Sequence, residues 1–91
     1  MAMIAVWLKI DEERVVQELH EAAEKLDSTE DEVVLDFSSV CRIDPGVLRA
    51  MEEFAGVADN KGVKVVLRGI NVDVYKVLTL VNLTSRFSFV D

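Results

Sequence analysis

Residues 33–51, VVLDFSSVCRIDPGVLRAM, constrain the fold more than any other stretch. Val33, Leu35 and Phe37 alternate with Val34, Asp36 and Ser38, the period-two pattern of a strand with one buried face. The strand therefore ends near Ser38. Asp44-Pro45 then supplies a helix start: the carboxylate can accept from the free amides of a first turn, and proline at the first helical position forfeits no helical bond. Val47, Leu48 and Met51 open an apolar stripe. The turn Ser38-Ser39-Val40-Cys41-Arg42-Ile43 must hold the strand end and the helix N-terminus together. Helix starts carry partial positive charge and exposed donors, so this junction is where a functional contact is expected.

The rest of the chain repeats the same unit. Ile4, Val6, Leu8 and Ile10 alternate with Ala5, Trp7 and Lys9, giving a first strand over residues 4–10. Asp11 sits where a cap belongs, with Glu12 and Glu13 in the first turn of a helix of about four turns. That helix buries Val15, Val16, Leu19, Ala22, Ala23 and Leu26 on one face. Residues 27–32, DSTEDE, read as a solvated turn. A second helix should run from Pro45 to about Asp59, burying Leu48, Met51, Phe54, Ala55 and Ala58 and wetting Arg49, Glu52, Glu53 and Gly56. Gly62 takes the left-handed conformation at its end. Residues 63–68 form a third strand, Asn71 caps a third helix from Val72 to Val81 that Asn82 terminates, and residues 87–90 form a short final strand.

The order is β-α-β-α-β-α-β, with connections long enough for parallel crossovers. Strands buried on both faces should be apolar nearly throughout, yet Asp36, Lys64, Arg68 and Ser88 interrupt these at regular intervals. Helices are therefore expected mainly on one face of an α/β domain whose roughly four-stranded sheet is mainly parallel or mixed. The covered side takes Val33, Leu35, Phe37, Val63, Val65, Leu67, Phe87 and Phe89. The open side takes Val34, Asp36, Lys64, Val66, Arg68, Ser88 and Val90. Trp7 joins the open side: with Val66 it forms an apolar patch for self-association as a homodimer, or a terminal tail or helix edge covers it.

Ninety-one residues make one domain, and one this small buries only about two-thirds of its unfolded surface. Ten basic residues against seventeen acidic ones give a net charge of −7, which repels phosphate backbones and anionic headgroups and argues against nucleic acid and direct membrane binding. No stretch approaches the ~20 apolar residues of a membrane span, and the N-terminal run lacks a basic lead and a cleavage site. Cys41 is the only cysteine, which excludes an internal disulfide and fits a reducing, cytoplasmic setting.

The segments VVLDFSSV, IDPGVLRAM, KGVKVVLRGI and VLTLVNLTSRF, in that order, resemble the successive signatures of the STAS domain, the module shared by anti-sigma factor antagonists and the cytoplasmic tails of sulfate transporters. The resemblance covers residues 33–90. The family usually opens with a pair of strands, and only one is legible here. Its phosphoregulated members follow the aspartate with a serine that a kinase modifies. In this chain Asp44 is present but Pro45 stands in the serine's place and Val47 in that of a nearby glycine, so no hydroxyl is available at that position. Ser38 and Ser39 are the neighbouring hydroxyls, either substituting for it or bonding the turn backbone.

The resemblance implies a non-catalytic docking module without cofactor, in which the loop before the second helix and that helix's exposed face meet a protein partner. Carried over to this chain, those positions are Ser38, Ser39, Asp44, Pro45 and Arg49, to which Arg42 is added from its place in the same turn. Arg49 suits a paired contact to a carboxylate, with Pro45 and Val47 as a small apolar spot beside it. The partner is an anti-sigma factor or switch kinase, or else a transporter or scaffold subunit such as a lipid-transporting ABC system or a stressosome-like assembly. Enzymatic readings fare worse. His20 is the only histidine and no spacing brings it to Cys41, which reads as a small buried hydrophobe. One cysteine and one histidine cannot close a metal site, and no glycine-rich phosphate loop follows a strand. Asp36 invites comparison with a receiver aspartate, but that fold needs further acidic residues on its first strand and a fifth strand.

Overall fold

Each apolar alternation in the sequence becomes a strand, and each strand feeds a helix. The computed structural model describes residues 5–27 and 31–90. In chain order the elements are β1 (Ala5–Lys9), a 3-10 turn (Glu12–Arg14), α1 (Val15–Lys25), β2 (Glu32–Asp36), α2 (Pro45–Lys61), β3 (Lys64–Arg68), α3 (Val72–Leu80), a second 3-10 turn (Thr84–Arg86) and β4 (Ser88–Val90). The strands pair as β1-β2-β3-β4, parallel throughout. Right-handed crossovers that always step to the next strand on the same side must place every helix on the same face. The sheet therefore has no point where the strand order reverses, the place where open α/β sheets usually bind small ligands.

The core lies between that face and the helices. Val33, Leu35 and Phe37 from the β2 segment and Val65 and Leu67 from β3 meet Leu19 of α1, Met51 and Phe54 of α2 and Leu78 of α3 in one buried cluster. Several boundaries differ from the sequence reading. The helix expected from Asp11 starts at Val15, because Asp11 caps a 3-10 turn instead, accepting from the Glu13 amide at 2.9 Å. Val16, expected inside, is exposed, lining the open hollow between α1 and the start of α2. α2 runs on to Lys61 and buries Val47 and Ala50, leaving Leu48 only half-buried. Its stop is the expected one, Gly62 at φ 69°. Asn71 caps α3 as expected, and Asn82 holds φ 61° beyond it. β4 starts one residue late, at Ser88, because Phe87 closes the unforeseen 3-10 turn. Glu32, read as turn, is the first residue of β2. Ile4 and residues 28–30 of the expected turn lie outside the described residues.

The helix-free face also departs from expectation. Val34 and Val66 stand outside the main cluster, yet each is only 4% exposed. Trp7 pairs with Val34 and Val34 with Val66, so the three form one row across β1, β2 and β3. The Arg68 guanidinium lies 5.7 Å from the centroid of the Trp7 ring. β1 and β3 are two strand spacings, about 10 Å, apart, so ring and guanidinium meet above β2 and roof Val34. Arg68 also reaches the Asp36 carboxylate at 3.6 Å. Val66 therefore adds no surface to a self-association patch. Trp7, 62% exposed, is the lone large apolar side chain that this row offers to solvent.

Gly69 follows β3 at φ +73°, and a Cβ there would meet Ser38 Cβ at 2.9 Å and Ser38 Cα at 3.1 Å. The loop leaving β2 is thus seated directly on the loop leaving β3, closer than any L side chain permits. Gly69→Ala should destabilise the fold by about 2 kcal/mol, from backbone strain and from lifting that loop. Urea unfolding checks this, and an unchanged midpoint would show that the two loops do not need their close approach.

Candidate partner-docking site

The β2–α2 junction is built between two buried plugs. Phe37 is fully buried and extends the ladder, its amide donating to the Arg68 carbonyl at 2.8 Å. Val40 is buried as well, and its amide donates to the Phe37 carbonyl at 2.9 Å, which closes a tight turn with Ser38 and Ser39 at its tip. The Ser38 amide donates to Asp36 Oδ1 at 2.9 Å. Its hydroxyl bonds the same carboxylate, and this bond leads in holding the Asp36 carboxyl below the usual range, followed by the amide; partial burial opposes them, and Arg68 and Lys9 add a smaller pull downwards.

Past Val40 the chain is clamped from both sides. Asn71, the cap of α3, donates from Nδ2 to the carbonyls of Val40 and Cys41 at 3.5 and 3.4 Å. From the α1 side, Glu12 Oε1 accepts from the Cys41 amide at 3.4 Å. These contacts are long, and their value lies in coming from two directions. Asp44 then caps α2, its Oδ1 accepting from the Val47 amide at 2.8 Å, with Pro45 at the first helical position. Local spacing marks Asn71 as a cap and Glu12 as a first-turn residue, but neither as a clamp, and gives Gly69 no role. Nothing in local spacing signals a contact spanning about thirty residues between loop and helix start; only the parallel topology brings the three strand ends together.

All three helical starts at this end are satisfied by their own side chains, Asp11, Asp44 and Asn71. Two of those caps are carboxylates, so the positive ends of the helix dipoles are spent and an anion arriving there would meet like charge. The structure also divides the six residues named from the sequence. Pro45 and Arg49 stand on one exposed stripe of α2 with Glu52 and Glu53, at the i, i+4, i+7, i+8 spacing of a single helix face, and Asp44 sits at its head. Ser39 is half-buried and faces an open hollow with Lys9, Asp11, Glu12, Glu13 and Glu18 on the α1 side. Arg42 is exposed beside Ile43, Asp73 and Val77 on the α3 side. Ser38 lies against Gly69, tied to Asp36.

Two smaller expectations are corrected. Val47 is buried, because the proline-led first turn points it into the core, so it supplies no apolar spot beside Arg49. Cys41 is exposed where a buried hydrophobe was expected, because the clamped segment Cys41–Asp44 runs along the surface. Its neighbour Val40 takes the interior position. Among the described residues no group of three His, Cys, Asp or Glu side chains is placed to hold a metal ion. His20 points elsewhere, its Nε2 lying 3.5 Å from Glu53 Oε2 across the α1–α2 contact.

A sequence profile described as "Mlab, STAS domain" matches residues 10–90. The chain belongs to the Mlab STAS-domain family. Among solved structures the STAS fold recurs in a sulfate transporter family protein from Wolinella succinogenes, at TM-score 0.80 and 18% identity, over 98% of this chain and 80% of that one. It recurs too in a candidate anti-sigma factor antagonist from Thermotoga maritima, at TM-score 0.75 and 20% identity, over 99% and 83% of the two chains. The NMR structure of that Thermotoga protein gives TM-score 0.78 and 23% identity over 100% and 77%. No protein of curated function matches by sequence. These likenesses make a four-stranded parallel α/β STAS fold the common ground.

The lowered Asp36 value has a consequence with a definite sign. A carboxyl held lower in the folded than in the unfolded chain stabilises the fold above its ordinary value, near 4, and that stabilisation fades as pH falls through the lowered one. Asp36→Asn should therefore unfold at lower urea than wild type at pH 7, with the gap closing in acid. A gap independent of pH would remove the charge from the account.

Proposed function

We propose that this STAS domain is a non-catalytic protein-docking module that engages its partner without a phosphorylation switch. The observation that carries the reading is Pro45. It occupies the first position of α2 beside the capping Asp44, the place that the family resemblance assigns to a phosphorylatable serine. A residue without hydroxyl there leaves the α2 stripe in one chemical state. Ser38 is a poor substitute acceptor, since a phosphate on it would lose the hydroxyl bond to Asp36 and set about two negative charges beside that carboxylate. Ser39 faces four acidic side chains, which disfavours a phosphate equally.

In this reading the contact centres on Pro45 and Arg49, with Asp44 at the rim. Arg49 is an exposed fork suited to a partner carboxylate, and Glu52 and Glu53 below it favour a basic surround. Ser38, Ser39 and Arg42 shape the loop from its flanks instead of sharing that stripe. The partner class is an anti-sigma or switch-kinase regulator or a subunit of a transporter or scaffold. Pro45 favours the second, because a constitutive subunit has no use for a switch hydroxyl. No helix among the described residues is long and apolar enough to cross a membrane.

A pull-down from native extract with tagged wild type and Arg49→Glu, read by mass spectrometry, tests this. Wild type should recover a defined protein, and the charge reversal should lower its recovery about tenfold while leaving the circular dichroism unchanged. Transporter or scaffold subunits would support the assembly partner and an ATP-binding kinase the signalling one. Equal recovery by both baits would remove the α2 stripe from the contact.

A further inference from the structure

Five of the seven exposed large apolar side chains among the described residues, Val72, Tyr75, Leu80, Val81 and Val90, belong to α3, the residue after it and the end of β4. α3 already spends Val74 and Leu78 on the core, yet it also carries Val72, Tyr75 and Leu80 on its outer side, interspersed with Asp73, Lys76 and Thr79. That mix of large apolar groups with a few polar ones is the composition of an interface more than of a plain wet face. The face has relief. Ile70, Val72, Tyr75, Phe89 and Val90 line a hollow of about 320 Å³ at the N-terminal end of α3, where Tyr75 stands edge-on to Phe89 at 5.1 Å between ring centroids. At the other end, two turns and about 12 Å away, Leu80 stands out 82% exposed.

We propose that a second copy of this chain covers this face, with the two α3 helices antiparallel about a twofold axis near Lys76. In that arrangement the Leu80 of each copy enters the other's Val72–Tyr75–Phe89–Val90 hollow, so that one contact, made twice, fills both hollows and hides both leucines. Charge supports a like partner. The chain carries −7 overall, but the ionic side chains on the exposed side of α3 are Asp73 and Lys76, which cancel. Two copies can meet here without bringing their acidic surfaces together, which the α1–α2 face, lined by Glu12, Glu13, Glu21, Glu24 and Asp44, does not allow. With the axis near Lys76, each lysine lies about one helical turn from the other copy's Asp73, within reach of its side chain. The exposed patch is on the order of 500 Å² per copy, so two copies bury about 1,000 Å², at the threshold of a specific interface. The face leaves the α2 stripe free, so the proposal is independent of the docking reading.

Sedimentation velocity over 5–500 μM, a range of about two decades chosen to span a weak dimer, is the test. Wild type should approach twice its 10.2 kDa mass at the upper end. Leu80→Glu should stay monomeric with an unchanged thermal melt, whereas Trp7→Ser should associate like wild type. Asp73→Lys and Lys76→Asp should each weaken association about tenfold, and the double swap should restore it, with the thermal melts of the monomers at low concentration unchanged, as reciprocal Asp73–Lys76 pairs between the copies require. Wild type monomeric throughout, or a dimer dissociated by Trp7→Ser and untouched by Leu80→Glu, would overturn the proposal.

Discussion

Three right-handed crossovers stepping the same way across a parallel sheet decide almost everything else about this protein. They force α1, α2 and α3 onto one face, give the domain one core and bring all the helix starts to one end of the strands. A reversal of direction would have opened a ligand crevice at the switch point and demanded strands apolar on both faces. The alternation of Val33, Leu35 and Phe37 with Val34, Asp36 and Ser38 is the sequence record of that choice. The uncovered face is closed in another way, by an aromatic ring and a guanidinium laid across Val34 and by the Arg68–Asp36 pair at the C-terminal end of the strands.

The same topology makes the β2–α2 junction a platform. A loop of this length would ordinarily sample many conformations, and ordering it costs roughly 1–2 kcal/mol per residue. Here Phe37 and Val40 anchor it inside, Asn71 and Glu12 hold its backbone from two sides, and Gly69 lets Ser38 come down onto the neighbouring loop. The entropy is thus met during folding and not when a partner arrives, which suits a docking surface. The three side-chain caps also quench the helix ends, so the platform offers shape and a few charges in place of an anion site.

Surface chemistry divides by face in a way the total charge hides. The α1–α2 side is acidic, the helix-free side of the sheet mixes Lys9, Asp36, Lys64 and Arg68, and α3 presents a nearly neutral apolar ridge. Trp7 drew attention in the sequence because a tryptophan in a strand is conspicuous. Val72, Tyr75 and Leu80 did not, because apolar residues at helical spacing read as core. Which of them face inward depends on where the helix lies against the sheet, a fact absent from the chain's local pattern.

The sequence by itself determined the elements, their order and the sides of the strands, because periodicity, caps and a left-handed glycine are local physics: Asp44-Pro45, Gly62, Asn71 and Asn82 all act within a turn or two of themselves. It also determined that no hydroxyl stands at position 45. Tertiary structure alone decided that Val47 and Val66 are inside while Cys41 is outside, that Ser38, Ser39 and Arg42 do not share the stripe of Pro45 and Arg49, and that Asn71, Glu12 and Gly69 hold the loop. Each of these depends on which strand end lies beside which, a relation between segments about thirty residues apart that only the assembled sheet supplies.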